Sequence, residues 1–482
     1  MCVVGECLRR LTGRAMVRQS SERRIRRSQQ DATRQPGASA PERRPPRSPV
    51  KCRRENLQSR ATPTICKAHA AKPLIVRQSP YRRFAGTGTR RCSRHEPPGL
   101  VTAMPKPSKV QFDAIRSGYD ADPSRSLSLS AEAYTDPVWF GVDQQEILSK
   151  SWQWVCHAEK LRAAGAYITT QIAGSPVAIV RDEHHVLRAF YNVCKHRAHP
   201  VLIGEGSVRR IVCPYHAWSY RLGGRLANAP HTADLKDFST AEIRLSEVRV
   251  EEFCGFVFAS LDPAAAALRT LSGTLGPEIR HWAPDIEQLT FARRLTYEIK
   301  SNWKNVVDNF LECYHCPVAH KDFCTLVDMK AYKVITHGIY SSHMAEAGRS
   351  DNSAYDTSTA KVRTHAVWWL WPNTCLMRYP GRSSMIVLHI IPLAVERTLE
   401  TYDFFLETPE PDELERNAIH YLDKVLQAED IALVENVQRS MSTPAFTQGR
   451  IVNDPQGSGR SEHALHHFHG LVLGAYERAS RA

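Results

Sequence analysis

Two short segments of the chain each place one cysteine and one histidine close together. Cys194 and His196 lie in CKHRAHP, and Cys213 and His216 lie in CPYHAW, after an interval of sixteen residues. Two thiolates and two imidazoles can bind either a tetrahedral zinc ion or a [2Fe–2S] cluster in which the thiolates hold one iron and the imidazoles hold the other. Neither segment contains the Cys-x-x-Cys knuckle of a zinc ribbon, which favours the cluster. His199 fits neither pair, so we predict that it lies outside the ligand set.

A second group of metal-ligating residues lies in DNFLECYHCPVAH. The spacing of apolar residues predicts a helix over 302–315, on which Glu312 and His315 share one face. Pro317 interrupts that helix, and the chain can then bring His320 back to the same point. Two histidines and one carboxylate form the facial triad of mononuclear Fe(II) oxygenases, which leaves coordination positions open for O2. The third ligand must be an acid, and Glu312 is the nearest one.

The elements around these residues predict two kinds of domain. Short β-rich runs separated by turn residues extend from Tyr167 to about Asp262, which is typical of an antiparallel β domain of roughly 100 residues. Beyond Pro263, helical spacing over 264–281 is followed by strand-like runs such as THAVWWLW and SMIVLHIIPL. The second region is therefore predicted to be α+β, with an antiparallel sheet covered by helices.

A long amphipathic helix is predicted from about Pro411 to Ser440. Its apolar stripe consists of Ile419, Leu422, Leu426, Leu433 and Val437. The whole chain is predicted to contain a lead-in over 104–150 that packs on the catalytic domain, a cluster-binding domain over 151–263 and a mononuclear iron domain over 264–482.

The formal charge of +14 comes from the first 103 residues, which hold 24 Lys+Arg and 6 Asp+Glu, whereas the remaining 379 hold 40 and 44. The segment 1–103 is rich in Arg, Pro and Ser without helical or strand period, which predicts disorder. We favour the hypothesis that it is not native coding sequence and that Met104 is the first residue. The alternatives are an organelle transit segment and a nucleic-acid-binding tail. Because the rest of the chain is slightly acidic, we predict no nucleic-acid partner.

Eight of the 13 cysteines lie beyond Met104, and no secretory signal precedes them. A disulfide framework is therefore not expected, and a cytoplasmic location is predicted. Cys313 and Cys316 flank His315, and we expect them to be core side chains, because thiolate ligands would displace oxygen chemistry from iron. No run approaches the roughly 18 apolar residues of a membrane span, so no membrane association is predicted.

CKHRAHP and CPYHAWSYRLGGRL resemble the two cluster-binding loops of Rieske non-haem iron oxygenase α subunits, in the aromatic-ring-hydroxylating dioxygenase superfamily. The resemblance extends over 130–482. It implies that four residues bind a Rieske [2Fe–2S] cluster, namely Cys194, His196, Cys213 and His216.

The pattern Glu312-x-x-His315-x4-His320 also resembles this family. It implies that the two histidines bind a mononuclear Fe(II) and that Glu312 bridges the two metal centres in electron transfer. The iron-binding carboxylate of the family comes from a later helix. QAEDIALVENVQ is similar to that helix and places Asp430 at the ligand position, with Glu429 and Asp423 as alternatives.

The resemblance further implies a homotrimer, in which His216 of one subunit faces Glu312 of its neighbour and Glu312 hydrogen-bonds His315. It also implies that a separate flavin/iron–sulfur reductase delivers electrons from NAD(P)H, and the sequence contains no GxGxxG motif of its own.

The glutamate at position 312, with NFLECYHCPVAHKDFC and MSTPAFTQGRIV, resembles the quaternary-amine branch of the family, in particular stachydrine (proline betaine) and glycine betaine demethylases. This implies hydroxylation of an N-methyl group with release of formaldehyde. Aromatic faces bind such cations, and Trp369 and Trp371 are predicted on one face of a strand, with Tyr379 nearby. A betaine carboxylate would need Arg378 or Arg382. The alternatives are an aromatic-ring-hydroxylating dioxygenase and, more remotely, a Rieske electron-transfer protein without oxygenase activity.

Overall fold

The computed structural model describes residues 107–349 and 352–481. The segment 1–103 lies outside the described residues, so the hypotheses about it stay predictions. None of the helices in the described part of the chain is both long and apolar enough to cross a membrane.

The first half of the described chain is built on antiparallel β structure. Its strands are β1 Gln153–His157, β2 Ala166–Ile172, β3 Ser175–Arg181, β4 Leu187–Tyr191, β5 Glu205–Ser207, β6 Ile211–Val212, β7 Ser219–Tyr220, β8 Leu226–Asn228, β9 Glu247–Phe253 and β10 Phe256–Ser260. Seven of them form one sheet in the order β1-β10-β9-β4-β3-β2-β5, and β6-β7-β8 form a smaller one. Ala173 and Gly174 join β2 to β3, and both have positive φ, as a two-residue hairpin requires.

The second half contains a seven-stranded antiparallel sheet. Its strands are β11 Thr290–Ile299, β12 Lys333–Thr336, β13 Tyr340–Glu346, β14 Thr364–Leu370, β15 Thr374–Arg378, β16 Ser384–Ala394 and β17 Arg397–Leu406. They pair in the order β11-β17-β16-β15-β14-β13-β12. The prediction of an α+β fold with two antiparallel β systems is confirmed.

The two faces of this larger sheet pack against different partners, because side chains alternate along each strand. Trp368 and Phe405 point to one face, where Trp154 of β1 and the last helices before β11 cover them. Trp369 and Phe404 point to the other face, which the remaining helices cover. The sheet thus joins the cluster-binding half of the chain to the helices that carry the second group of ligands.

The helices are mostly short. They are α1 Lys109–Arg116, α2 Glu132–Thr135, α3 Pro137–Val142, α4 Leu268–Leu271, α5 Leu275–Trp282, α6 Trp303–Phe310, α7 Cys316–Ala319, α8 Phe323–Leu326, α9 Glu413–Tyr421, α10 Gln427–Met441 and α11 His463–Arg481. A π-helical turn, Leu422–Leu426, joins α9 to α10 without a break. The long helix predicted over 411–440 is thereby confirmed, and Asp412 caps its first turn.

Three details of the predicted helices are wrong. The helix predicted over 264–281 is two helices, because the chain turns at Gly273, which has φ 54°. The helix predicted over 302–315 ends at Phe310. The C-terminal part of the apolar stripe is shifted by one residue, since the π-helical turn adds a residue to the register. As a result α10 buries Gln427, Val434 and Gln438, while Leu433 and Val437 are exposed.

Candidate active site

The two cluster-binding segments fold into loops with the same backbone hydrogen bonds. The Cys194 N–H donates to the carbonyl five residues later over 2.9 Å, and the Ala198 N–H donates back to the Cys194 carbonyl over 3.0 Å. The Cys213 N–H and the Ala217 N–H repeat this pattern with distances of 2.9 and 3.0 Å. Ala198 and Ala217 have φ of 59° and 58°, a region that residues other than glycine seldom adopt. Two segments of different sequence therefore present their side chains in the same way.

These loops hold two thiols inward and two imidazoles outward. Cys194 and Cys213 are buried, whereas His196 and His216 are exposed, with ring centroids 4.5 Å apart. The Tyr220 hydroxyl lies 3.2 Å from the Cys194 sulfur. Burial raises the pKa of the Cys213 thiol, so that a thiolate here needs a cation beside it. The division fits a cluster that is held by thiolates on its protein side and by imidazoles on its solvent side.

Three ligand atoms of the second group converge on one point. The Nε2 atoms of His315 and His320 lie 3.1 Å apart, and Asp430 Oδ1 lies 2.9 Å from His320 Nε2 and 3.6 Å from His315 Nε2. Ligand atoms that lie about 2.1 Å from a metal, at right angles to each other, are about 3 Å apart. The triangle therefore fits a single divalent cation with its other coordination positions free.

Two glutamates contact the outer nitrogens of these imidazoles. Glu312 Oε1 hydrogen-bonds His315 Nδ1, and Glu429 Oε2 lies 2.8 Å from His320 Nδ1. Each carboxylate keeps a proton on Nδ1 and leaves the Nε2 lone pair free for a cation. Glu312 and His315 do not share a helix face as predicted. They lie in the turn after α6, where Glu312 also accepts the His315 N–H over 3.2 Å. Pro317 begins the short helix α7 instead of ending a helix.

The electrostatics of the triad favour a bound cation. Burial lowers the pKa of His315, but the hydrogen bonds and charges of Asp430 and Glu312 outweigh burial and raise it to about 10. Burial raises the pKa of Asp430, but His315 and His320 outweigh it and lower it to about 2. Burial lowers the pKa of His320, but Asp430 and Glu429 outweigh burial and raise it. A site that holds protons this strongly has the negative potential that would attract a divalent metal ion.

A cavity of about 90 Å³ lies beside the triad. This volume has room for a handful of water molecules at roughly 10–15 Å³ each, so the cavity suits a small substrate. Its walls come from β14, β16, β17, α6 and the helical segment around the π-helical turn. Five aromatic side chains contribute to its lining, namely Phe310, Phe323, Tyr332, Tyr379 and Tyr402. Two polar side chains on the same wall, Glu400 and Gln427, were not predicted.

The structure places the predicted tryptophans away from this cavity. Trp369 is fully buried and packs edge-on against Phe468 of α11, with ring centroids 5.5 Å apart. Trp371 follows the end of β14 and donates its indole N–H to the Ser151 hydroxyl over 2.8 Å. Neither tryptophan is among the residues that line the cavity, so the cavity gives no support to the prediction that they contact substrate. The residues of β14 that line the cavity are His365 and Val367, nearer the start of the strand.

Other predicted residues also have different partners. Arg378 pairs with Asp285 over 3.2 Å, and Arg382 pairs with Asp412 over 2.8 Å, so neither predicted carboxylate partner lines the cavity. Asp423, an alternative iron ligand, accepts a hydrogen bond from a tyrosine of β11 over 2.7 Å. His199 lies outside the group of cluster ligands and contacts the adjacent carbonyl through Nδ1.

The expectation for Cys313 and Cys316 needs correction. Both side chains are buried in the core, as expected, but their sulfur atoms form a disulfide bond. The turn between α6 and α7 places these two cysteines, three residues apart in sequence, at bonding distance.

Comparisons with known proteins agree with this architecture. Residues 151–239 match the Rieske [2Fe-2S] domain family, and residues 286–477 match the ring hydroxylating alpha subunit (catalytic domain) family. The carnitine monooxygenase oxygenase subunit of Escherichia coli (strain K12) is 36% identical over 365 residues, which cover 75% of this chain and 97% of that protein. The chloroplastic choline monooxygenase of Beta vulgaris is 29% identical over 386 residues, which cover 77% and 82%.

A solved structure of a quaternary ammonium Rieske monooxygenase superposes with a TM-score of 0.70 at 33% sequence identity, covering 78% of this chain and all of that one. The match covers most of the length of each of these relatives. Together with the two metal-ligand groups and the two matched domains, it leads to one conclusion. The chain belongs to the Rieske non-haem iron oxygenases, as a catalytic α subunit whose cofactors are a Rieske [2Fe–2S] cluster and a mononuclear iron.

Proposed function

We propose that this oxygenase hydroxylates an N-methyl group of a small quaternary amine. The observation that carries the proposal is the aromatic cavity beside the triad of His315, His320 and Asp430. A quaternary ammonium donates no hydrogen bonds, and the faces of aromatic rings are the groups that attract it. The names of the carnitine and choline monooxygenases, which are similar to this chain, point to the same substrate class.

The proposed ligands follow from the two groups of side chains. Cys194, His196, Cys213 and His216 would hold the [2Fe–2S] cluster, and His315, His320 and Asp430 would hold the mononuclear iron. Ferrous iron in such a triad supplies the activation of O2. The protein's own residues orient the imidazoles, hold the amine against the aromatic walls and exclude bulk water from the cavity.

The overall reaction balances with two electrons. The amine, O2, two electrons and two protons give the N-hydroxymethyl amine and water. The N-hydroxymethyl group then loses a proton, its C–N bond breaks, and formaldehyde and the demethylated tertiary amine leave. Glycine betaine and proline betaine, which the sequence resemblance favours, are members of this substrate class.

Electrons would come from a separate reductase through the exposed tip of the Rieske domain. Tyr215 is 54% exposed there, and its ring lies 3.8 Å from the ring of His216. Near the triad, Tyr314 and Val318 are 51% and 80% exposed. Exposed apolar side chains at both points suit contacts with other protein chains. We therefore propose a homotrimer, in which Glu312 receives the electron from His216 of a neighbouring subunit.

A single-turnover experiment tests the substrate class. Holoenzyme is reduced with dithionite, freed of excess reductant and mixed with O2 and one compound from a panel: choline, carnitine, glycine betaine, proline betaine, benzoate or naphthalene. Formaldehyde and a demethylated amine are expected with at least one of the quaternary amines. Products from the aromatic compounds alone would refute the proposal in favour of a ring-hydroxylating enzyme. Two irons per chain in place of about three would favour an electron carrier.

A further inference from the structure

Glu400 is a buried acid on the wall of the substrate cavity. It lies on β17, on the same face of the strand as Tyr402 and Phe404, and only 3% of its surface is exposed. Its carboxylate accepts a hydrogen bond from the side-chain amide of Gln427. The other side of that amide accepts the Tyr402 hydroxyl over 2.6 Å. Tyr402 and Gln427 thus fix the position of Glu400 in the cavity wall.

The charge of this carboxylate has no partner among the residues that the structure describes. Within residues 107–349 and 352–481, no Lys, Arg or His forms an ion pair with Glu400, and no Lys or Arg is among the described residues that line the cavity. A buried carboxylate with one neutral hydrogen-bond donor is unfavourable unless a cation or a proton accompanies it. The other acids of the cavity, Glu312 and Asp430, already contact the imidazoles of the triad.

We propose that Glu400 is the counter-ion of the substrate's quaternary ammonium group, with the rings of Tyr402 and Tyr379 beside it. This inference rests on the proposed function and narrows it. A cavity with a fixed carboxyl group that ionises beside a cation, and without a Lys or Arg side chain among its described lining residues, favours a substrate whose positive charge is not neutralised nearby. Quaternary amino alcohols meet this condition, as do amines whose carboxylate lies several bonds from the nitrogen. A carboxylate one carbon from the nitrogen, as in glycine betaine, would be repelled.

Binding of two nearly isosteric probes to the holoenzyme tests the inference. Choline carries the cation, and 3,3-dimethylbutan-1-ol has the same shape with carbon in place of nitrogen. Their dissociation constants are measured by calorimetry for the wild type, for Glu400→Gln and for the control Glu407→Gln, which makes the same change at an exposed position just after β17. Glu400→Gln is expected to weaken choline binding by at least about thirtyfold. This is the lower end of the loss of affinity that is seen when a buried charge pair loses one partner. Binding of the alcohol should be unchanged, and Glu407→Gln should resemble the wild type.

The possible failures are distinguishable. If the wild type binds neither choline nor any other amine of the panel, the proposed function fails and the Glu400 inference fails with it. If the wild type binds choline and Glu400→Gln binds it equally well, only the Glu400 inference is wrong. Equal weakening of both probes would also refute it, because a merely structural role predicts that result.

A second measurement needs no variant. Burial, and to a smaller extent the charge of Asp430, raise the pKa of Glu400 to about 8. A cation that pairs with the carboxylate would therefore displace a proton from it at neutral pH. Bound iron would offset the charge of Asp430 and lower this pKa, so the measurement uses wild-type protein with the Rieske cluster intact and the catalytic iron site empty. Calorimetry in buffers of different ionisation enthalpy should then show proton release with choline and none with the alcohol. Absence of proton release with choline would contradict the inference even if Glu400→Gln did not fold.

Discussion

Glu429 is predicted to strengthen iron binding without touching the metal. Its carboxylate lies 2.8 Å from His320 Nδ1, while His320 Nε2 faces Asp430 and the other imidazole. In Glu429→Gln the amide can still contact Nδ1, but it carries no charge, so it supports the orientation of the ring less strongly. Loss of such a partner lowers metal affinity about 10- to 100-fold, or about 1.4 to 2.7 kcal/mol. Because the Glu429 side chain is 39% exposed and partly screened by solvent, we expect the loss of iron affinity to be at the lower end of this range, about tenfold.

The assay is a competition for Fe(II) between the apo catalytic site and a chelator, with the Rieske cluster intact. Glu413→Gln is the control, since Glu413 is an exposed residue of α9, in the same continuous helical unit. The dissociation constant for iron should rise in Glu429→Gln and stay at the wild-type value in Glu413→Gln. An unchanged constant in Glu429→Gln would refute the claim that the second carboxylate positions His320.

Three further predictions follow from other contacts. Glu312→Gln should weaken iron binding, as Glu429→Gln does, because Glu312 makes the equivalent contact to His315 Nδ1. At saturating Fe(II) it should hold both metal centres and bind substrate normally but lose most of its turnover, as stopped-flow reduction and iron analysis would show; turnover at the wild-type rate would eliminate the bridging role. With the catalytic iron site empty, choline affinity should rise as the pH increases toward the Glu400 pKa of about 8 and level off above it, because the carboxyl must lose its proton to pair with the cation. The titratable groups whose charges act on Glu400 or are acted on by it are Asp430, Tyr297, Tyr402 and Cys375, and a flat profile would contradict the pairing. Lys304→Met should destabilise the protein by about 3–5 kcal/mol in denaturant unfolding, because it leaves the fully buried Asp143 without its cation, whereas the exposed Lys109→Met should cost less than about 1 kcal/mol.

Local spacing was sufficient to predict the ligand groups as sets of residues. A cysteine and a histidine a few residues apart, at each of two loops, have few uses other than metal binding. His315 and His320 need only one turn of chain between them for their imidazoles to converge on one metal ion. Asp430 is different. It lies 110 residues after His320, and only the resemblance to a family indicated it, because an acid on an amphipathic helix usually faces solvent.

The cavity could not be predicted, because strand alternation alone does not say which face of a central strand meets the site. The sequence TLETYDFFL of β17 places one buried acidic side chain on each face of the strand. Asp403 faces one way and pairs with Arg294. Glu400 faces the other way and meets the cavity. The tryptophans lie away from the cavity for a related reason: Trp369 does point toward the helices, but at the end of β14 where α11 packs, and not where the triad lies.

The proposed coupling of O2 to the demethylation of a small quaternary amine is tested most directly by stoichiometry. The amounts of O2 consumed, formaldehyde formed and amine lost are measured during turnover with the best amine of the panel. Equal amounts of all three are expected. O2 consumption that ends in hydrogen peroxide with every quaternary amine, while an aromatic compound is hydroxylated in step with O2, would contradict it.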